Sequence, residues 1–152
     1  MSDARVFQIN ISPGGVPKFP LHRVEVTANG VAGDKQKHLE FHGGPDRAVC
    51  LFSLEQILSL QAEGHPIFPG STGENLTVTG LDWPAIGPGT RLRVGASLLL
   101  EITSYTTPCK LIASSFGDGD STRISQKAHP GWSIVTSFQG LKFLSEIKLY
   151  AQ

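Results

Sequence analysis

Among the residues able to do chemistry, Cys109 has the most favourable setting. It follows Tyr105-Thr106-Thr107-Pro108 and opens Cys109-Lys110-Leu111-Ile112-Ala113, a short apolar stretch able to wind into one or two turns of helix. Pro108 limits the conformation of the residue before it, while a helix start and the neighbouring Lys110 favour thiolate over thiol. A thiolate so placed is a candidate nucleophile or metal ligand. The second cysteine, Cys50, sits between Val49 and Leu51 in an apolar run and reads as packing. Two loops upstream of Cys109, His42-Gly43-Gly44-Pro45-Asp46 and Gly73-Glu74-Asn75-Leu76, are rich in glycine and polar residues. They suit holding a small polar ligand better than filling a core.

Other chemistries fit the chain less well. His38 and His42 stand at i, i+4, but the pattern is not His-Glu-x-x-His, Gly43-Gly44 ends any helix there, and no third zinc ligand is apparent. Asp118-Gly119-Asp120 begins like a calcium loop, yet His129 stands where a twelve-residue loop needs glutamate. Neither Gly43-Gly44 nor Gly87-Pro88-Gly89 leads into the strand-to-helix pattern of a nucleotide-binding loop. No Gly-x-Ser-x-Gly elbow places a serine nucleophile.

The elements that must position these residues are mostly strands. Val6 to Ile11, His22 to Thr27, Arg47 to Phe52, Asn75 to Thr79, Arg91 to Val94 and Ser97 to Thr103 carry the apolar alternation or continuity of strands, bounded by glycine and proline turns. The last two read as a hairpin. Ser53 with Gln56 at the capping-box position starts a helix with Leu54, Ile57 and Leu58 on one face, ending at Gly64 and Pro66. Near the C-terminus, Phe138, Leu141, Leu144 and Ile147 recur at threes, which predicts an amphipathic helix from about Ser137 to Tyr150. Six or seven strands with few helices point to a mainly β protein, a partly closed β-barrel with short helices covering its ends.

Composition narrows the setting. A chain of 152 residues fits one domain, residues 1–152, with a sizeable core. Its 13 basic and 13 acidic side chains set up no field that would draw nucleic acid or an anionic membrane. With two cysteines and no basic region followed by an apolar run at the start, a reducing, cytoplasmic setting is the simplest expectation.

Taken in order, Gly33-Asp34, His42-Gly43-Gly44-Pro45-Asp46-x-Ala48-Val49, Gly73-Glu74-Asn75-Leu76, the Gly89 to Val94 segment, Pro108-Cys109 and Arg123-Ile124 to Gly131-Trp132 resemble a stand-alone MOSC domain, the module named after the C-terminal part of molybdenum cofactor sulfurase. The resemblance covers roughly residues 5–133. It implies a β-barrel with a loop-built pocket, and a molybdopterin cofactor whose metal takes a cysteine thiolate ligand, as in related molybdenum reductases. Cys109 matches that cysteine. Asn75 matches the asparagine of the second loop and is assigned to cofactor hydrogen bonding, with Thr107 a weaker candidate for the same duty. Arg123 is assigned to the pterin phosphate through its planar fork. His42 and Asp46 either shape their loop, the favoured role, or reach the substrate. Residues 134–152 depart from the family pattern, and the expected helix there would replace the closing strands.

Three functions follow from the resemblance. The first is a molybdenum-dependent oxidoreductase that reduces N-hydroxylated or N-oxide compounds. It would draw on an external electron donor, because no flavin, haem or iron–sulfur motif is present. The second is a sulfur carrier that accepts persulfide on Cys109 from a pyridoxal-phosphate desulfurase. The third is a non-catalytic small-ligand-binding barrel. No nucleic-acid or membrane partner is expected, and a second copy of the chain is a candidate partner.

Overall fold

The computed structural model describes residues 4–27, 30–34, 49–94, 98–105, 108, 110–124, 135–138 and 147–150. The strands are β1 (Arg5–Ile11), β2 (Phe19–Leu21), β3 (Arg23–Thr27), β4 (Gly30–Val31), β5 (Cys50–Ser53), β6 (Leu76–Thr79), β7 (Arg91–Val94), β8 (Leu98–Tyr105), β9 (Val135–Phe138) and β10 (Ile147–Tyr150), with one helix, α1 (Leu54–Ala62). Short 3₁₀ turns occupy Trp83–Ala85, Lys110–Ser115 and Ser121–Ile124. The protein is mainly β, as its turn-punctuated sequence predicts.

Seven strands form one sheet in the order β2-β1-β6-β5-β9-β8-β7, and β10-β3-β4 form a second. Both are open among the described residues, so the expected barrel closure is not seen there. Neighbouring strands run antiparallel except β5 and β6, which pair in parallel with Leu51 opposite Leu76. A parallel pair needs a crossover, and α1 with the loop after it supplies one.

The near-continuous apolar run at β5 has a simple cause. Leu51 packs into a cluster with Ile9, Val24, Leu76 and Leu100, drawn from both sheets. Phe52 points the other way, into a cluster with Ile57 and Leu60 of α1 and with Ile67, Ile112, Phe116 and Ile124. A strand covered on both faces has no polar side to show. β8 reads differently, burying Leu98, Leu100 and Ile102 and leaving the residues between them half-buried.

Ser53 caps α1, its Oγ accepting the Gln56 N–H at 3.2 Å. Glu55 in the first turn accepts from the Gly80 N–H at 2.7 Å and from the Thr79 hydroxyl, tying the helix start to the end of β6. Partial burial pushes the Glu55 carboxyl up. Hydrogen bonds from Thr79, Gly80 and Ser53 outweigh that push and hold it below its ordinary value.

Where the structure describes the helix expected over residues 137–150, at 137–138 and 147–150, strand forms instead. Val135–Phe138 is strand β9, lying between β5 and β8, and Ile147–Tyr150 is strand β10, antiparallel to β3. The spacing at threes that suggested a helix competes with the strand-forming runs Val135-Thr136-Ser137-Phe138 and Ile147-Lys148-Leu149-Tyr150. Unpaired backbone on β5, β8 and β3 settles the competition. The tail contributes strands to both sheets where it had been expected to replace them.

Candidate functional site

β8 ends at Tyr105, and the 3₁₀ turn Lys110–Ser115 begins at the residue after Cys109. The helical turn expected after the cysteine is therefore present, in its tighter form. Ile112 and Phe116 fix it to α1 through the second apolar cluster, and the Ser115 hydroxyl donates to the Ser71 carbonyl at 3.4 Å. Cys109 itself, together with Thr107, His42 and Asp46, lies outside the described residues.

Asn75 is fully buried. Its Nδ2 donates to the Asn10 carbonyl at 3.2 Å and to Asp34 Oδ2 at 2.9 Å, and its Oδ1 accepts the Cys50 N–H at 3.1 Å. The Asn75 N–H donates to the Cys50 carbonyl at 2.9 Å. Both amide hydrogens are thus engaged within the chain, and Asn75 clamps the backbone of Cys50 from two sides. Cys50 is half-buried and packs, with Val16, against the cluster that holds Ile112.

A second network adjoins the first. Glu74 is fully buried, with Oε1 accepting from the Thr72 hydroxyl at 2.9 Å and Oε2 from the Thr77 hydroxyl at 3.0 Å. Asn10 Nδ2 donates to the Glu74 carbonyl at 3.1 Å and to Thr77 Oγ1 at 3.0 Å. Burial pushes the Glu74 carboxyl above its ordinary value. Hydrogen bonds from its own N–H, Gly70, Thr72 and Thr77 oppose that push without overcoming it.

Arg123 stands in the third 3₁₀ turn, its Nη2 donating to Asp118 Oδ2 at 2.6 Å. Its Nε–H is buried with no acceptor among the described residues. Asp118 is held below its ordinary value by the Asp120 N–H and by the Arg123 side chain, and Asp118 in turn pushes Arg123 up. Glycine supplies the close approaches. Gly70, at φ +91°, sits against the Lys18 carbonyl, and Gly73, at φ +89°, leaves only 3.1 Å between Val16 and the place a Cβ would take.

Sequence reasoning assigned no role to Lys18, Asp34 or Glu74. Gly33-Asp34 and Gly73-Glu74 stood in the ordered motif set, which was the available signal for the two acids. Lys18 stands in no motif, and nothing local marks it as the partner of an acid sixteen positions away.

The residues 38–143 match the model of the MOSC domain family, and the chain belongs to that family. The match runs past residue 133 into the segment that holds β9. The family is associated with the molybdenum cofactor. Among relatives, the chain is 29% identical over 126 residues to the protein YiiM of Escherichia coli K12, covering 79% of this chain and 56% of that one. It is 34% identical over 86 residues to the uncharacterized protein YflK of Bacillus subtilis 168, covering 56% of this chain and 38% of that one. The matches span about half or less of those relatives' lengths. The crystal structure of YiiM from Geobacillus stearothermophilus superposes with a TM-score of 0.72 at 22% identity, covering 97% of this chain and 71% of that one, a likeness of fold.

Proposed function

We propose that this chain is a molybdenum-cofactor-binding MOSC protein whose Cys109 thiolate ligates the metal and which reduces N-hydroxylated or N-oxide compounds. The observation that carries the reading is the family match taken with the position of Cys109, immediately before a 3₁₀ turn anchored through Ile112 and Ser115. The described residues fit a bound anionic group at one point: the buried, unpartnered Nε–H of Arg123 is a donor suited to a phosphate oxygen. They fit less well at Asn75, whose amide hydrogens are already engaged.

On this reading Cys109 and Arg123, with Thr107 beside the cysteine, hold the cofactor, and Asn75 holds the loop around it. When bound, the group supplies the two-electron redox chemistry, for which thiolate is a suitable soft ligand. The protein keeps that thiol deprotonated, orients the phosphate and shapes the pocket. Electrons come from an external donor.

Metal and pterin analysis of protein made in a cofactor-producing host tests this. Molybdenum in the wild type and its loss from a folded Cys109→Ala variant is the expected outcome. A wild-type protein free of molybdenum that takes persulfide on Cys109 from a pyridoxal-phosphate desulfurase would be a sulfur carrier instead. One that does neither would be a small-ligand binder.

A further inference from the structure

We propose that Asp34, paired with Lys18, is a positioning residue that sets the loop of residues 12–18 and the Asn75 amide against Cys50, in the wall behind the turn that follows Cys109. Asp34 Oδ2 accepts from Lys18 Nζ at 2.6 Å and from Asn75 Nδ2 at 2.9 Å, and Oδ1 accepts the Ser12 N–H at 2.9 Å. One carboxylate therefore holds both ends of that loop and orients the side chain that clamps Cys50. The Lys18 N–H also donates to the Gly70 carbonyl at 2.8 Å, which fixes the loop to the Gly70–Gly73 turn. Val16, carried between the two tethers, packs with Cys50 against the cluster containing Ile112. Ile112 belongs to the turn that follows Cys109, so this wall supports the residues next to the candidate ligand.

The side chains of Lys18 and Asp34 are only 3% and 4% exposed. An ion pair buried to this extent is a poor source of net stability, because desolvation of both charges offsets their attraction, and a matched apolar or neutral pair is often as stable. What a charge pair with directed hydrogen bonds supplies is one geometry. A neutral amide at position 34 presents a donor or an acceptor where the carboxylate presents two acceptors, so it cannot serve Ser12, Lys18 and Asn75 together.

The test uses metal-free full-length protein and compares wild type, Asp34→Asn and the charge-free double variant Lys18→Met/Asp34→Asn. Two readouts are taken: the iodoacetamide labelling rate of Cys50, and the hydrogen-exchange rate of the Cys50 amide relative to amides of β6. In the double variant, Cys50 labelling and relative exchange should both rise, by up to about tenfold, the change expected from losing roughly one hydrogen bond's worth of local order. The β6 amides should keep their wild-type protection. Cys50 and β6 rates that rise together, wild-type rates at Cys50, or a double variant that does not fold would each overturn the proposal by making the pair a global support or a dispensable one. The inference rests on the proposed function only in calling this wall part of the cofactor site. Molybdenum content of the wild type reports on that reading, and the Cys50 readouts on metal-free protein report on Asp34.

Discussion

Glu74 is the residue whose charge state the fold constrains most visibly. Its folded value is raised above the ordinary 4.5, so the folded chain holds the proton more tightly than the unfolded chain. The stabilisation from the neutral form is fully present below 4.5 and is lost as pH rises through the folded value. Glu74→Gln, which stays neutral, should therefore unfold at a higher temperature than wild type above that window and at a similar temperature below it. Thermal unfolding between about pH 4 and about pH 9 checks this, and parallel profiles for the two proteins would contradict it. Ser53 offers a simpler case. Its Oγ is the helix cap, so Ser53→Ala should lower stability by about 1 kcal/mol in a denaturant titration. That cap was legible because capping is local chemistry with a fixed spacing. The duty of Asn75 was not, because its partners Asn10, Asp34 and Cys50 come from three separate stretches of chain.

At the scale of elements, legibility follows the range of the interactions. The hairpin β7–β8, the helix α1 and the buried strand β5 are set by alternation, capping and continuous apolar runs, all readable within a dozen residues. The end of β9, Ser137-Phe138, and all of β10 were read as helix because Phe138, Leu141, Leu144 and Ile147 do fall at threes. Their conformation depends on strands β5, β8 and β3, which are far away in sequence. The consequence for truncation is direct. β9 lies between β5 and β8, so removing residues 134–152 separates the β7–β8 hairpin from the rest of its sheet. The truncated chain should lose cooperative thermal unfolding and bind a hydrophobic dye. A truncated chain that melts at the wild-type temperature would show that β9 contributes nothing to the sheet.

Across the whole molecule, two features bear on partners and function. The first is the β2 edge of the large sheet, an edge among the described residues. Asn10 donates its N–H to the Asn75 carbonyl at 2.7 Å, so its cross-strand partner Pro20 turns its own backbone outward, where it has no N–H to offer. Phe19 and Leu21 beside it are exposed, and an edge with both apolar side chains and a free donor invites strand addition. Pro20→Thr should accordingly increase self-association in sedimentation velocity, whereas an unchanged distribution would mean that the edge is protected by something other than the proline. No helix among the described residues is long and apolar enough to cross a membrane. The second feature is the occurrence, within one MOSC fold, of the turn that follows Cys109, a buried polar network and Arg123. The measurement that bears most directly on its meaning is the molybdenum content of wild type and Cys109→Ala purified in parallel from a cofactor-producing host. The account predicts molybdenum in the wild type and its loss from a variant that remains folded; molybdenum retained at the wild-type level in Cys109→Ala would contradict it.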